Sequence, residues 1–133
     1  MAISAAISVV ARALHDYERK PLSVLIEVNL SREASKSGVA KEELPRLADA
    51  LASCPHLRGM GLMTIARQDA AEKELRQTFA TLRFLLESLR GNYPGDWQHL
   101  SMGMSDDYEL AIEEGATIVR LGRAVFGERG RIA

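Results

Sequence analysis

The sequence predicts an α/β fold assembled from parallel βαβ units, and three observations carry that expectation. Short runs rich in branched apolar residues alternate with longer amphipathic segments, the pattern of strands that cross over through helices. Pro21, Pro55 and the group Gly91, Pro94 and Gly95 punctuate the boundaries between them. Residues 100–107 and 119–127 each read as an apolar strand that runs into a Gly/Ser turn and a helix start.

Taken in order, Ile3, Ile7, Val10 and Leu14 share one helical face and predict an amphipathic helix over residues 3–17. Pro21 closes that connection, and residues 22–30 (LSVLIEVNL) form the first strand. A polar loop over 31–38 leads to a helix from about 41 to 53, which Pro55 stops. Residues 57–65 are the second strand. The longest helix runs from about 70 to 90, with Leu75, Phe79, Leu82, Leu86 and Leu89 on one face. Residues 98–102 are the third strand, 106–114 a helix and 117–121 the fourth strand. Asp106 and Glu109 have capping-box spacing, and Gly122 opens a last short helical turn. Four parallel strands are half of an eight-stranded barrel, so the sheet stays open, or a second chain closes it, or preceding residues do.

A chain of 133 residues fits one domain spanning 1–133. Its 17 basic and 18 acidic residues nearly balance and are scattered, so no field favours nucleic acid or an anionic membrane. Cys54 is the sole cysteine, which excludes an internal disulfide and a cysteine zinc cluster, and His15, His56 and His99 lack metal-ligand spacing. The apolar residues 1–10 are too short to span a bilayer and follow no basic segment, so the expectation is a soluble, cytoplasmic protein with no membrane partner. Neither a nucleophile–base pair nor a carboxylate pair can be assembled, and no enzymatic activity is expected.

Two adjacent strand-to-helix turns make an anion site, because helix N-termini carry unpaired N–H donors and a positive partial charge. The loops after the last two strands of barrel folds are a frequent phosphate site, which points to a phosphorylated small molecule. Ser105 could bring its hydroxyl and N–H to a phosphate oxygen, Gly122 could admit an anion close to the backbone, and the Arg123 N–H is the next donor. The ordinary readings are a capping serine and a turn glycine. Arg120 lies in an apolar strand on the face of Ile118 and Gly122, where an unpaired charge is costly, so it needs a ligand or a carboxylate partner. Asn29 ends the first strand, and Met63 is a pocket wall or a core residue. Asp106 and Asp107, adjacent at a helix start, serve the macrodipole rather than acid–base chemistry. Trp97 and His99 fall at the opposite end of the strands and read as structural.

Val28-Asn29 with Lys36-Ser37-Gly38, residues 57–63 (LRGMGLM), residues 100–107 (LSMGMSDD) and residues 119–122 (VRLG) through Phe126-Gly127 occur in an order and spacing that resembles the pyridoxal-phosphate homeostasis protein family, single-domain relatives of the alanine racemase barrel. The resemblance covers nearly the whole chain. It implies a TIM-type (β/α)8 barrel of which this chain carries the C-terminal half, strands five to eight. It also implies pyridoxal 5′-phosphate (PLP) at the C-terminal ends of the strands and a non-catalytic role in vitamin B6 homeostasis. By the same resemblance, Ser105 contacts the phosphate and Arg120 the pyridine nitrogen, which limits the ring as an electron sink. A small hydroxyl residue often follows this glycine in the family; Arg123 keeps the backbone donor and lacks the hydroxyl. The family's Schiff-base lysine lies in an A-V-[ST]-K segment that does not occur here. Lys36 is no substitute, since an exposed loop lysine is mostly protonated at pH 7 and a poor nucleophile. Covalent attachment is therefore expected to be weak or absent. Bare sheet edges and an apolar inner face lead to the expectation of a homodimer, or of association with a complementary half-barrel. The alternatives are a barrel enzyme acting on another phosphorylated metabolite and a chain that no longer holds the cofactor.

Overall fold

The computed structural model describes residues 12–13, 16–17, 19–31 and 37–127. Its strands are β1 (Leu22–Asn29), β2 (Val39–Ala40), β3 (Leu57–Met63), β4 (His99–Met104) and β5 (Ile118–Arg120). The helices are α1 (Leu44–Ala52), α2 (Glu72–Leu89), α3 (Tyr108–Glu113) and α4 (Arg123–Phe126), with a 3-10 turn over Lys41–Glu43. The strands form one sheet in the order β2-β1-β3-β4-β5, and every adjacent pair is parallel. This is the βαβ architecture that the alternating pattern predicts.

Strand alternation decides which residues meet the helices. Ile26, Leu62 and Leu100 fall in register across β1, β3 and β4, and all three are buried. Leu44, Ala48 and Leu51 of α1 and Phe79, Leu82, Leu86 and Leu89 of α2 join them in the same core, spaced to lie along one side of each helix. The neighbouring rows, Leu25–Gly61–His99 and Glu27–Met63–Ser101, lie on the opposite side of the sheet. Arg76 of α2 pairs with Glu113 of α3 at 2.7 Å, which docks the helix that follows β4.

Three expectations need correction. The sheet has five described strands rather than four, because Val39–Ala40 pairs with Val28 and Asn29 at the end of β1. Two residues carry no readable period, so nothing local announced this strand. The helix expected from Asp106 starts at Tyr108, and no side chain caps it. The Asp107 carboxylate accepts the Met104 N–H at 2.7 Å, Asp106 is held by Arg123, and the capping box does not form. The helix expected over 41–53 opens as a 3-10 turn before α1. The helix expected over 3–17 lies largely outside the described residues, as does Lys36; Arg12, Ala13, Asp16 and Tyr17 are helical.

At the N-terminal end of the sheet Arg58 grips Asp96 with two hydrogen bonds, 2.8 and 2.5 Å long. The guanidinium holds the Asp96 carboxyl below the usual carboxylate range. A lowered folded-state value stabilises the fold above the ordinary carboxylate pKa, and that stabilisation disappears as pH falls through the lowered value. Because the pair is exposed, the effect is small. Melting temperature followed from neutral to acid pH is expected to fall less steeply for Asp96→Asn than for the parent; parallel curves would remove this role.

Candidate functional site

Parallel strands bring all their C-terminal ends to one edge, the place where open α/β sheets bind ligands. Asn29, Met63, Arg120 and the turn after Met104 therefore share that edge. The structure draws the last two turns closest. Ser105 Oγ accepts the Ala124 N–H at 2.9 Å, so the turn after β4 is stitched to the first turn of α4. The serine does cap a helix, but it is the one beyond β5 rather than the one that follows it in sequence. Its own hydroxyl hydrogen stays available to an acceptor.

A second tie lies beside the first. The Arg123 guanidinium donates to the Asp106 carboxylate, joining the same two turns by their side chains. Arg123 thus offers its backbone N–H at the helix start while its charge is directed to Asp106. Gly122 precedes it as the cap of α4, with φ −88°. That conformation suits any residue, so the turn itself does not require glycine. A Cβ placed there would meet nothing within 4 Å, so the space beside the glycine at the start of α4 is open.

Arg120 stands two residues before this turn and is half-buried. Its Nη2 donates to the Thr64 carbonyl at 2.7 Å, so its hydrogen-bond partner is backbone rather than carboxylate. Nε is buried without a partner. Burial pulls the guanidinium below its ordinary pKa, opposed by the charges of Glu27 and Asp107. Met63 is partly buried and shares the row of Glu27 and Ser101, on the side of the sheet away from the core helices. Asn29 sits at the same edge but three strands from β5; its Oδ1 accepts the Ser31 N–H at 3.1 Å and the Ser31 hydroxyl at 2.8 Å, closing the turn after β1.

Ser105, Gly122 and Arg123 thus form one cluster with Arg120 beside it, while Met63 and Asn29 line the more distant part of the edge. Thr64 is the site residue the sequence did not flag. It is fully buried, and it holds Arg120. Its signal was a lone hydroxyl among apolar residues, which must find a partner when buried. Among the described residues no group of His, Cys, Asp and Glu is arranged to hold a metal ion. None of the described helices is long and apolar enough to cross a membrane.

A family profile described as "Alanine racemase, N-terminal domain" matches residues 5–130. Over 109 residues the chain is 51% identical to the pyridoxal phosphate homeostasis protein of Pseudomonas aeruginosa, covering 82% of this chain and 46% of that protein. The chain spans about half the length of the curated relatives it matches. The solved structure of PipY from Synechococcus elongatus with PLP bound superposes with a TM-score of 0.73 at 28% identity, covering 95% of this chain and 58% of that one. Alanine racemase from Corynebacterium glutamicum superposes with a TM-score of 0.57 at 24% identity, covering 86% of this chain and 32% of that one, a likeness of fold alone. The parallel sheet corresponds to part of that barrel type.

Proposed function

This chain belongs to the family of the alanine racemase N-terminal domain, and from that premise we propose that it binds pyridoxal 5′-phosphate at the C-terminal edge of its sheet. The phosphate lies between Ser105 and the Gly122–Arg123 turn, and the ring lies beside Arg120. The observation that carries this reading is the Ser105–Ala124 hydrogen bond, which holds the two turns together with open space over Gly122. Backbone donors at a helix start attract an anion without a side-chain charge, so the Arg123–Asp106 pair does not compete with the phosphate.

The residues present fit the ligand in a second respect. A buried donor without an acceptor, Arg120 Nε, is what a ring nitrogen would satisfy. When bound, pyridoxal 5′-phosphate supplies an aldehyde and a ring able to take up electrons. An arginine cannot give up its proton, so beside the ring nitrogen it leaves that nitrogen an acceptor and weakens the electron uptake. The partly buried Met63 forms an apolar wall, and Asn29 shapes the far end of the edge. A site of donors and walls without a base supports storage or delivery of the cofactor in the cytoplasm rather than turnover, in keeping with the names of the curated relatives. The outermost strands β2 and β5, with Leu25 and Ile118 exposed on the sheet face away from the core helices, support pairing with a second copy or a complementary half-barrel.

Amide chemical shifts followed during titration with inorganic phosphate and then with pyridoxal 5′-phosphate test the reading. The signals of Ser105, Gly122 and Arg123 are expected to move with both ligands, and that of Arg120 Nε with the second alone. Saturation with pyridoxal 5′-phosphate that leaves these four signals in place would refute it.

A further inference from the structure

Thr64 follows the last residue of β3 and is fully buried, and each of its polar atoms is engaged with a different strand. Its hydroxyl donates to the Val28 carbonyl of β1 at 2.7 Å, and its N–H donates to the Ser101 carbonyl of β4 at 3.1 Å. Its carbonyl accepts Arg120 Nη2 of β5 at 2.7 Å. One residue therefore links β1, β3, β4 and β5. We infer that Thr64 is a positioning residue for the ligand: by fixing one peptide between β1 and β4 it sets the orientation of the Arg120 guanidinium and thereby what that guanidinium can recognise.

The direction of the effect follows from the donors. With Nη2 committed to a backbone carbonyl, the guanidinium cannot swing freely toward Glu27 or Asp107, whose charges act on it from nearby. Nε is then the donor left without a partner. Since two carboxylates already provide negative potential, a neutral acceptor completes the donor set without adding a third like charge. If Thr64 lost its hydroxyl, the peptide would keep its tie to β4 and lose the one to β1. The carbonyl that holds Arg120 would then move with the loop.

The inference rests on the proposed function only for the identity of the ligand, and the test separates the two. Guanidinium rotation in the protein labelled with nitrogen-15 at arginine needs no ligand. Rotation of Arg120 is expected to be slow in the parent, about tenfold faster in Thr64→Val, and slow again in Thr64→Ser, as a loosened hold of the Thr64 carbonyl on the guanidinium implies. Free rotation in the parent, or equal rates in the parent and the valine variant, would overturn the positioning role. So would a valine variant that stays folded and loses affinity for inorganic phosphate and pyridoxal 5′-phosphate equally, because the role predicts loss for the second alone. Should Thr64→Val not fold, the parent and Thr64→Ser decide: slow rotation in both supports the role, and free rotation in either overturns it. A parent that binds phosphate without preferring pyridoxal 5′-phosphate refutes the ring reading, while the rotation rates still decide the role of Thr64.

Discussion

Gly61→Ala is expected to cost about 3–5 kcal/mol, a large share of the roughly 5–15 kcal/mol that holds a domain of this kind together. Gly61 pairs in register with His99, and a Cβ on it would lie 1.9 Å from the His99 carbonyl oxygen, 2.7 Å from its carbonyl carbon and 2.9 Å from its Cα. All three obstacles are backbone, so no side chain can turn aside. β3 and β4 would have to separate, and Leu62 and Leu100, which pack beside this contact, would separate with them. Overpacking against movable side chains typically costs about 1–3 kcal/mol, and a rigid strand puts this case above that range. Denaturant unfolding should show a large fall in midpoint with little change in slope. A midpoint shift worth under about 1 kcal/mol would mean that the strands part more easily than their packing implies.

Gly122→Val is expected to do the reverse, leaving the fold intact and removing the proposed anion site. The φ of −88° accommodates valine, and nothing lies within 4 Å of the new Cβ. Valine at a helix cap is less favourable than glycine, so a stability loss of up to about 1 kcal/mol is expected. The branched side chain would instead occupy the open space over the α4 start, where the phosphate is proposed to sit. Affinity for inorganic phosphate and for pyridoxal 5′-phosphate should both fall by at least about a hundredfold, since losing two or more charge-assisted hydrogen bonds removes roughly 3 kcal/mol or more. Calorimetric titration of the folded variant measures this. Unchanged affinity would move the phosphate away from this turn.

Several site features are local and could be read from the chain alone. Ser105 and Gly122 stand at strand-to-helix turns because apolar runs end just before them, and both the run and the turn residue are sequence properties. Arg120 was conspicuous as a charge inside an apolar strand. Its partner was not, because the Thr64 carbonyl belongs to a different strand and a backbone atom has no sequence signature. Asp106 shows how local logic can be overruled. Its spacing to Glu109 suits a capping box, yet the side chain is taken by Arg123, which only the parallel alignment of β4 and β5 brings within reach. Gly122 reads in sequence as a turn residue, and the structure shows that its φ needs no glycine and that the space beside it is open.

By itself the sequence determined the alternation of strands and helices, the buried face of α2, and the positions of the two turns at the candidate site. These follow from hydrophobic period and from breakers, which act over a few residues. Tertiary structure alone decided the pairing of Val39–Ala40 with β1, the stitching of Ser105 to Ala124, the recruitment of Asp106 by Arg123 and the Thr64 link to Arg120. Each joins groups on separate segments whose side chains or peptides have several possible partners. Which partner wins is settled by the register in which the strands pack, and register is a property of the assembled sheet.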